Sequence, residues 1–124
     1  MKITLSPLGH TWILDLDGTI LKHNGHKSDG YDTLLPGALD FMNNIPGEDM
    51  VIFITSRTQD YKEKTEEFLT LHDIRYDCIV YNAPYGERIL INDSKPSGLK
   101  TTIAIDIERD MGLADLNVSI DRSL

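Results

Sequence analysis

A single cysteine, Cys78, is all the thiol the 124-residue chain contains, so no internal disulfide can staple it. A basic cluster is lacking too: 20 Asp and Glu outweigh 12 Lys and Arg, for a formal net charge of -8. Nucleic-acid backbones and anionic membrane surfaces need a positive footprint, so the composition argues against both as partners. No apolar run approaches the roughly 20 residues of a membrane span, and the start MKITLSPLGH has no signal-like apolar segment. The expectation is a cytoplasmic protein. Internal repeats, low-complexity tracts and Pro/Gly/Ser-rich linkers are absent as well. With 40% hydrophobic residues the chain can build one sizeable core, and residues 1–124 are expected to form one domain.

What the chain does have is a series of short apolar runs: WILDL (12–16), MVIFIT (50–55), CIVY (78–81), RILIN (88–92) and TIAIDI (102–107). They are continuously apolar, as strands covered on both faces require, and this predicts a parallel sheet flanked by helices. PGALDFMNN predicts a short helix, with Pro36 at its first position and Ala38, Phe41, Met42 and Ile45 on one face. TQDYKEKTEEFLTLH predicts a second, carrying Tyr61, Thr65, Phe68, Leu69 and His72 inward and Thr58 as cap. The connection NAPYGER is too short for a helix, whereas parallel crossovers take about a dozen residues or more. Cys78, inside a buried run with no basic neighbour in sequence, is expected to be a small core residue.

The stretch WILDLDGTI ends an apolar run on Asp15 and Asp17. In an open parallel sheet, ligands bind outside the carboxyl ends of the strands, and residues two apart share a direction. Two neighbouring carboxylates repel and lose hydration unless something cationic joins them, and Mg²⁺ prefers oxygen ligands. A calcium-binding EF-hand loop is excluded, because Ile20 and His26 stand where it needs Gly and Glu. Asp93 ends ILIND much as Asp15 ends its own run, and Thr55 and Ser56 end IFITS with hydroxyls able to hold a phosphate oxygen. The pattern outlines a metal and phosphate site.

DLDGT, ITSR and ILIND, in that order and each closing an apolar run, resemble the motifs of the haloacid dehalogenase (HAD) superfamily over about Trp12 to Asp106. The resemblance implies an α/β fold with a Rossmann-like, mostly parallel sheet. It implies Asp15 as the nucleophile that forms an aspartyl-phosphate, with Asp17 as general acid and then base. Backbone N–H groups at Gly18 and Thr19 would face the phosphate, joined by the hydroxyls of Thr55 and Ser56. Mg²⁺ would sit among Asp15, the Asp17 carbonyl and Asp93.

Relatives place a lysine or arginine between the second and last motifs. Here Arg88 is expected at the far end of its strand, which leaves Lys95 as the preferred phosphate-binding cation, ahead of Arg88 and Lys100. The intervals between motifs are too short for a cap domain, so water must be excluded by a flap over residues 22–33, by a second subunit of a homo-oligomer, or by a bulky substrate. His23 and His26 in that flap are expected to be solvated or to touch substrate.

The resulting expectation is a Mg²⁺-dependent phosphomonoester hydrolase acting on a small phosphorylated metabolite such as a sugar phosphate, with no nucleic-acid partner. The alternatives are a phosphatase of a phosphoprotein or nucleotide, and a non-catalytic HAD-like binding or regulatory module.

Overall fold

The computed structural model describes residues 1–124 as a mixed α/β fold in which every strand pair is parallel and no barrel closes. Strand β1 is Lys2–Leu5, β2 Thr11–Asp15, β3 Met50–Ile54, β4 Cys78–Val80 and β5 Asn117–Ile120. Helix α1 is Gly25–Ser28, α2 Ala38–Asn43 and α3 Lys62–Leu71, the last preceded by a 3-10 turn at Gln59–Tyr61. No helix is long and apolar enough to cross a membrane.

The central sheet runs β2-β3-β4, with Thr11 opposite Met50 and Asp15 opposite Ile54. This register sets the ends of WILD and VIFIT side by side, so Asp15 and Thr55 share one edge. Val51 and Phe53 of β3 bury completely against Leu16, Ile20 and Leu21 after β2, Ala38 and Met42 of α2, and Leu69 of α3. Only the central strand is well covered. Ile13 of β2 and Val80 of β4 stay exposed, as does Met50 where β3 begins, which corrects the expectation of strands buried on both faces. Cys78 is exposed as well, because β4 is a short edge strand and not core.

The helices sit where the periodicity predicts, with shifted starts. Gly37 takes a left-handed conformation at φ 75°, so α2 begins at Ala38 and Pro36 stays outside it. Thr58 is extended and makes no side-chain cap. The inward faces hold: Ala38, Met42 and Ile45 bury in the first case, Thr65 and Leu69 in the second.

RILIN and TIAIDI form no strands, and Ile89 and Ile91 point into solvent at 82% and 90% exposure. NAPYGER cannot carry the chain back across the sheet for a parallel pairing, so the fourth run never joins the ladder. Ile107 instead packs along the core without a partner strand. Two strands that no apolar run announces do form: β1 and β5 pair as a separate sheet, Lys2 opposite Asn117 and Leu5 opposite Ile120. Each is a four-residue piece whose partner lies at the other end of the chain.

Residues 109–116 dock against the start of α2 through a close approach. The Leu113 N–H donates to the Pro36 carbonyl at 2.9 Å, and a Cβ on Gly112, whose φ is +80°, would collide with that same carbonyl. Gly112→Ala is therefore expected to cost more than about 1 kcal/mol, read as a lower midpoint in urea unfolding.

Candidate active site at the carboxyl end of the central sheet

Asp15 closes β2, and the chain then turns tightly: the N–H groups of Thr19, Ile20 and Leu21 all donate to the Leu16 carbonyl, while the Gly18 N–H donates to that of Leu21. Gly18 takes φ 86°, a left-handed geometry that glycine adopts without strain. The turn brings the Thr19 hydroxyl back onto Asp15 Oδ2 at 3.3 Å. It also spends the N–H groups of Gly18 and Thr19 inside itself, which corrects the expectation that they face a phosphate.

Asp17 looks the other way, onto Arg57. Arg57 Nε donates to both Asp17 oxygens at 3.1 Å and Nη2 to Oδ1 at 2.8 Å. The same guanidinium donates to both oxygens of Asp32, at 3.0 and 2.7 Å, and to the Thr65 hydroxyl at 2.8 Å. The Thr55 hydroxyl donates to Asp17 Oδ2 at 3.1 Å and accepts the Arg57 N–H. All five donor hydrogens' directions on Arg57 are thus used, with its side chain only 2% exposed. Burial pushes the Asp17 carboxyl up, but the hydrogen bonds and charge of Arg57 outweigh it and hold the group below the ordinary carboxylate range. An ionised Asp17 suits proton acceptance and not donation.

Asp15 has a cation of its own. Arg88 Nη1 donates to Asp15 Oδ1 at 2.9 Å and reaches the Ile54 carbonyl at 3.4 Å. The placement of Arg88 at a distant strand end is corrected: without a strand over 88–92, the segment leaves β4 and lays Arg88 across the ends of β2 and β3. The preferred cation, Lys95, sits in an exposed turn closed by its N–H on the Leu99 carbonyl, and neither it nor Lys100 pairs with Asp15 or Asp17. Ser56 is half-buried beside Thr55.

Asp93 does not join the other carboxylates. It lies exposed, its N–H held by the Asn92 side chain and its carbonyl by the Thr101 hydroxyl. No group of three or more His, Cys, Asp or Glu side chains converges anywhere in the chain. The expected Mg²⁺ set of Asp15, Asp17 and Asp93 is therefore not assembled, because the run that should carry Asp93 to this edge is not a strand. As arranged, the donors do not fit a divalent cation: Arg88 takes Asp15 Oδ1, Arg57 takes both Asp17 oxygens, and Asp93 stands apart.

Residues 22–33, the expected flap, fold over Asp17 with α1 at their centre. Asp32 meets Arg57, and Lys22 pairs with Asp29 at 2.8 Å. His26 Nδ1 lies 3.8 Å from Asp17 Oδ1, its ring edge-on to Tyr61 with centroids 4.6 Å apart. Its side chain is 9% exposed, and neither ring nitrogen has a hydrogen-bond partner, nor has His23 Nδ1. His26 is thus not solvated, and burial together with the Arg57 charge pushes its pKa down. Sequence reasoning gave no role to Arg57, Asp32 or Thr65; the Arg directly after ITS was the one available signal, since a polar loop does not announce which aspartate turns inward.

A second missed pair sits on the outer side of the turn. The Asp110 N–H donates to the Gly18 carbonyl at 2.9 Å, and its carboxylate accepts the His23 N–H at 2.8 Å. Arg109, next to it, lays its Cγ 3.2 Å from where a Gly18 Cβ would stand.

No protein-family model matches the chain, and no curated protein does. Among solved structures, the chain is similar to a chain of the Pnkp1/Rnl/Hen1 complex at 27% identity and a TM-score of 0.52, over 67% of its own length. It is equally similar to a chain of the Pnkp1/Rnl/Hen1 RNA repair complex, at 28% identity and a TM-score of 0.52, over 65% of its length. It spans only 31% and 28% of those two chains. Neighbours from an RNA repair assembly overturn the expectation of a small phosphorylated substrate and no nucleic acid, which rested on net charge, a whole-chain sum that says nothing of where cations cluster. The solved structures that this α/β chain resembles thus include a chain of an RNA repair complex.

Proposed function

We propose that the chain hydrolyses a terminal phosphomonoester on a nucleic-acid strand, with Asp15 as nucleophile. The observation that carries the reading is the half-exposed Asp15 carboxylate at the sheet's carboxyl edge, held at 2.9 Å by Arg88. A guanidinium there can take two phosphate oxygens while it steadies the attacking carboxylate, offsetting their mutual repulsion. The motifs' likeness to the HAD superfamily supports the same role for Asp15, and the RNA repair neighbours support a strand end as substrate.

In the first step an Asp15 oxygen bonds to phosphorus and the bond to the strand's oxygen breaks, that oxygen taking a proton from solvent. In the second, water attacks the aspartyl-phosphate, its proton passes to an ionised base, and inorganic phosphate leaves. Asp17, kept ionised by Arg57, is suited to be that base.

One observation favours a second reading, a non-catalytic module that binds phosphate. Arg57 occupies both Asp17 oxygens and no metal set is gathered, so the groups usually in motion during turnover are locked.

The test is inorganic phosphate release from oligonucleotides phosphorylated at the 3′ or the 5′ end, beside a sugar phosphate and a phosphopeptide, each with Mg²⁺ and with chelator. Release fastest from one oligonucleotide end is the expected result. Preference for the phosphopeptide overturns the nucleic-acid assignment, and silence on every substrate leaves the binding module.

A further inference from the structure

An acidic chain that receives a polyanion must concentrate its cations locally, since a net charge of -8 repels the strand at a distance. The ion pairs of the chain engage Lys22, Arg57, Arg75 and Arg88. Two cations near this site are left without a carboxylate: Arg109, which lies against Gly18, and Lys27, which follows His26 on α1 and sits over Tyr61.

Both are held in place. Arg109 packs its stem on Gly18, and Asp110 fixes its backbone by donating to the Gly18 carbonyl and accepting from His23. Lys27 lies 5.7 Å from the centre of the Tyr61 ring, which in turn packs against buried His26. His23 shares the Gly18 contact with Arg109, its Cβ 3.8 Å from the same point above Gly18 that Arg109 covers. Tyr31, 65% exposed on the same segment, offers an aromatic face.

Resting on the reading of a nucleic-acid substrate, we propose that Arg109, His23 and Lys27 form a track for the internal phosphates of a single strand whose terminal phosphate lies at Asp15. The strand leaves the site over Gly18 and along α1. Cations spaced along a groove with an aromatic beside them are what sequence-tolerant single-strand binding uses. A mononucleotide carries no internal phosphates for the track to hold. The arrangement therefore selects a strand end over a free nucleotide through contacts that lie outside the reacting atoms.

The test reads binding and not turnover: fluorescence anisotropy of a labelled single-stranded RNA of about 10 nucleotides, with and without a terminal phosphate, across a salt series. Each phosphate contact contributes about 0.7 to the slope of log K against log salt for a single strand. Arg109→Ala with Lys27→Ala should weaken binding several-fold and lower the slope by about 1.4, the sum of two contacts. Arg109→Lys should keep its share, because a point charge suffices for a phosphate. Lys2→Ala, on the separate β1–β5 sheet, should change nothing.

An unchanged slope in the double variant overturns the track, as does an equal loss in Lys2→Ala. A phosphopeptide that binds as tightly, and weakens equally in the double variant, also overturns it in favour of a protein ligand. Slope loss without any phosphate release keeps the track and removes the hydrolysis reading. Release with an unchanged slope does the reverse.

Discussion

Arg57→Ala should lower the thermal midpoint by more than about 10 °C, from a loss of about 3–5 kcal/mol at roughly 4 °C per kcal/mol for a chain of this size. The size of the effect comes from what stays behind. Arg57 is the cation facing both Asp17 and Asp32, whose side chains are 15% and 5% exposed, and its removal leaves two like charges in a poorly hydrated site. Thr65 on α3 loses its donor in the same stroke, so the helix loosens from the β3 end. Arg57→Lys should recover little, since an ammonium cannot match two carboxylates with a planar fork.

The same pair dictates a pH dependence of defined sign. The folded carboxyl of Asp17 is held below its unfolded value by Arg57 and Thr55, against the opposing effect of burial. Its contribution is therefore complete above the unfolded carboxylate value of about 3.9 and fades as pH falls through the lower folded value. Thermal melts should show a steeper loss of stability below about pH 4 in the wild type than in Asp17→Asn, whose baseline is already lower. Parallel curves would remove Asp17 as the group responsible.

Asp15→Asn should abolish phosphate release from whichever strand end the wild type prefers, by at least about 10³-fold, because an amide is not a nucleophile toward phosphorus. Its effect on stability should be slight. The Asp15 and Arg88 side chains are 37% and 38% exposed, and such pairs contribute about 0–1 kcal/mol. Measured together, the two readouts separate chemistry from folding: a variant that melts with the wild type and releases nothing places the nucleophile at Asp15, while residual release near the wild-type rate assigns it elsewhere. Arg88→Ala is the companion variant, and it should raise KM while leaving the fold intact.

The central sheet was legible because its signal is local. WILDL, MVIFIT and CIVY carry their own β propensity, and the intervening amphipathic segments leave one way to connect them in parallel. RILIN carries the same propensity, but propensity only proposes a strand; the connection before it withholds the crossover, and backbone pairing is decided by what the chain can reach. β1 and β5 fail the opposite way: KITL and NVSI are ordinary alone, and their order comes from partners more than a hundred residues apart.

The site divides along the same line. Asp15, Asp17, Thr19 and Thr55 were legible because each closes or follows a strand, so strand geometry fixes their edge. Asp32, Arg88, Arg109 and Asp110 arrive from irregular segments, and His26 from a single helical turn, where no sustained periodicity ties residue number to direction. Their placement depends on charge pairing, such as Arg57 drawing in Asp32, and that pairing exists only in the folded chain.

The β1–β5 pairing has a kinetic consequence. Joining residues 2–5 to residues 117–120 closes a loop of nearly the entire chain, the costliest closure available to it in entropy. The β2-β3-β4 ladder requires far shorter loops, so it forms first and the outer sheet zips last. Asp15, Asp17 and Arg57 are then in place while the ends are still apart, whereas Arg109 and Asp110 reach Gly18 only when the final third of the chain settles. The Asp15 edge is thus an early product of folding, and the cationic track beside it a late one.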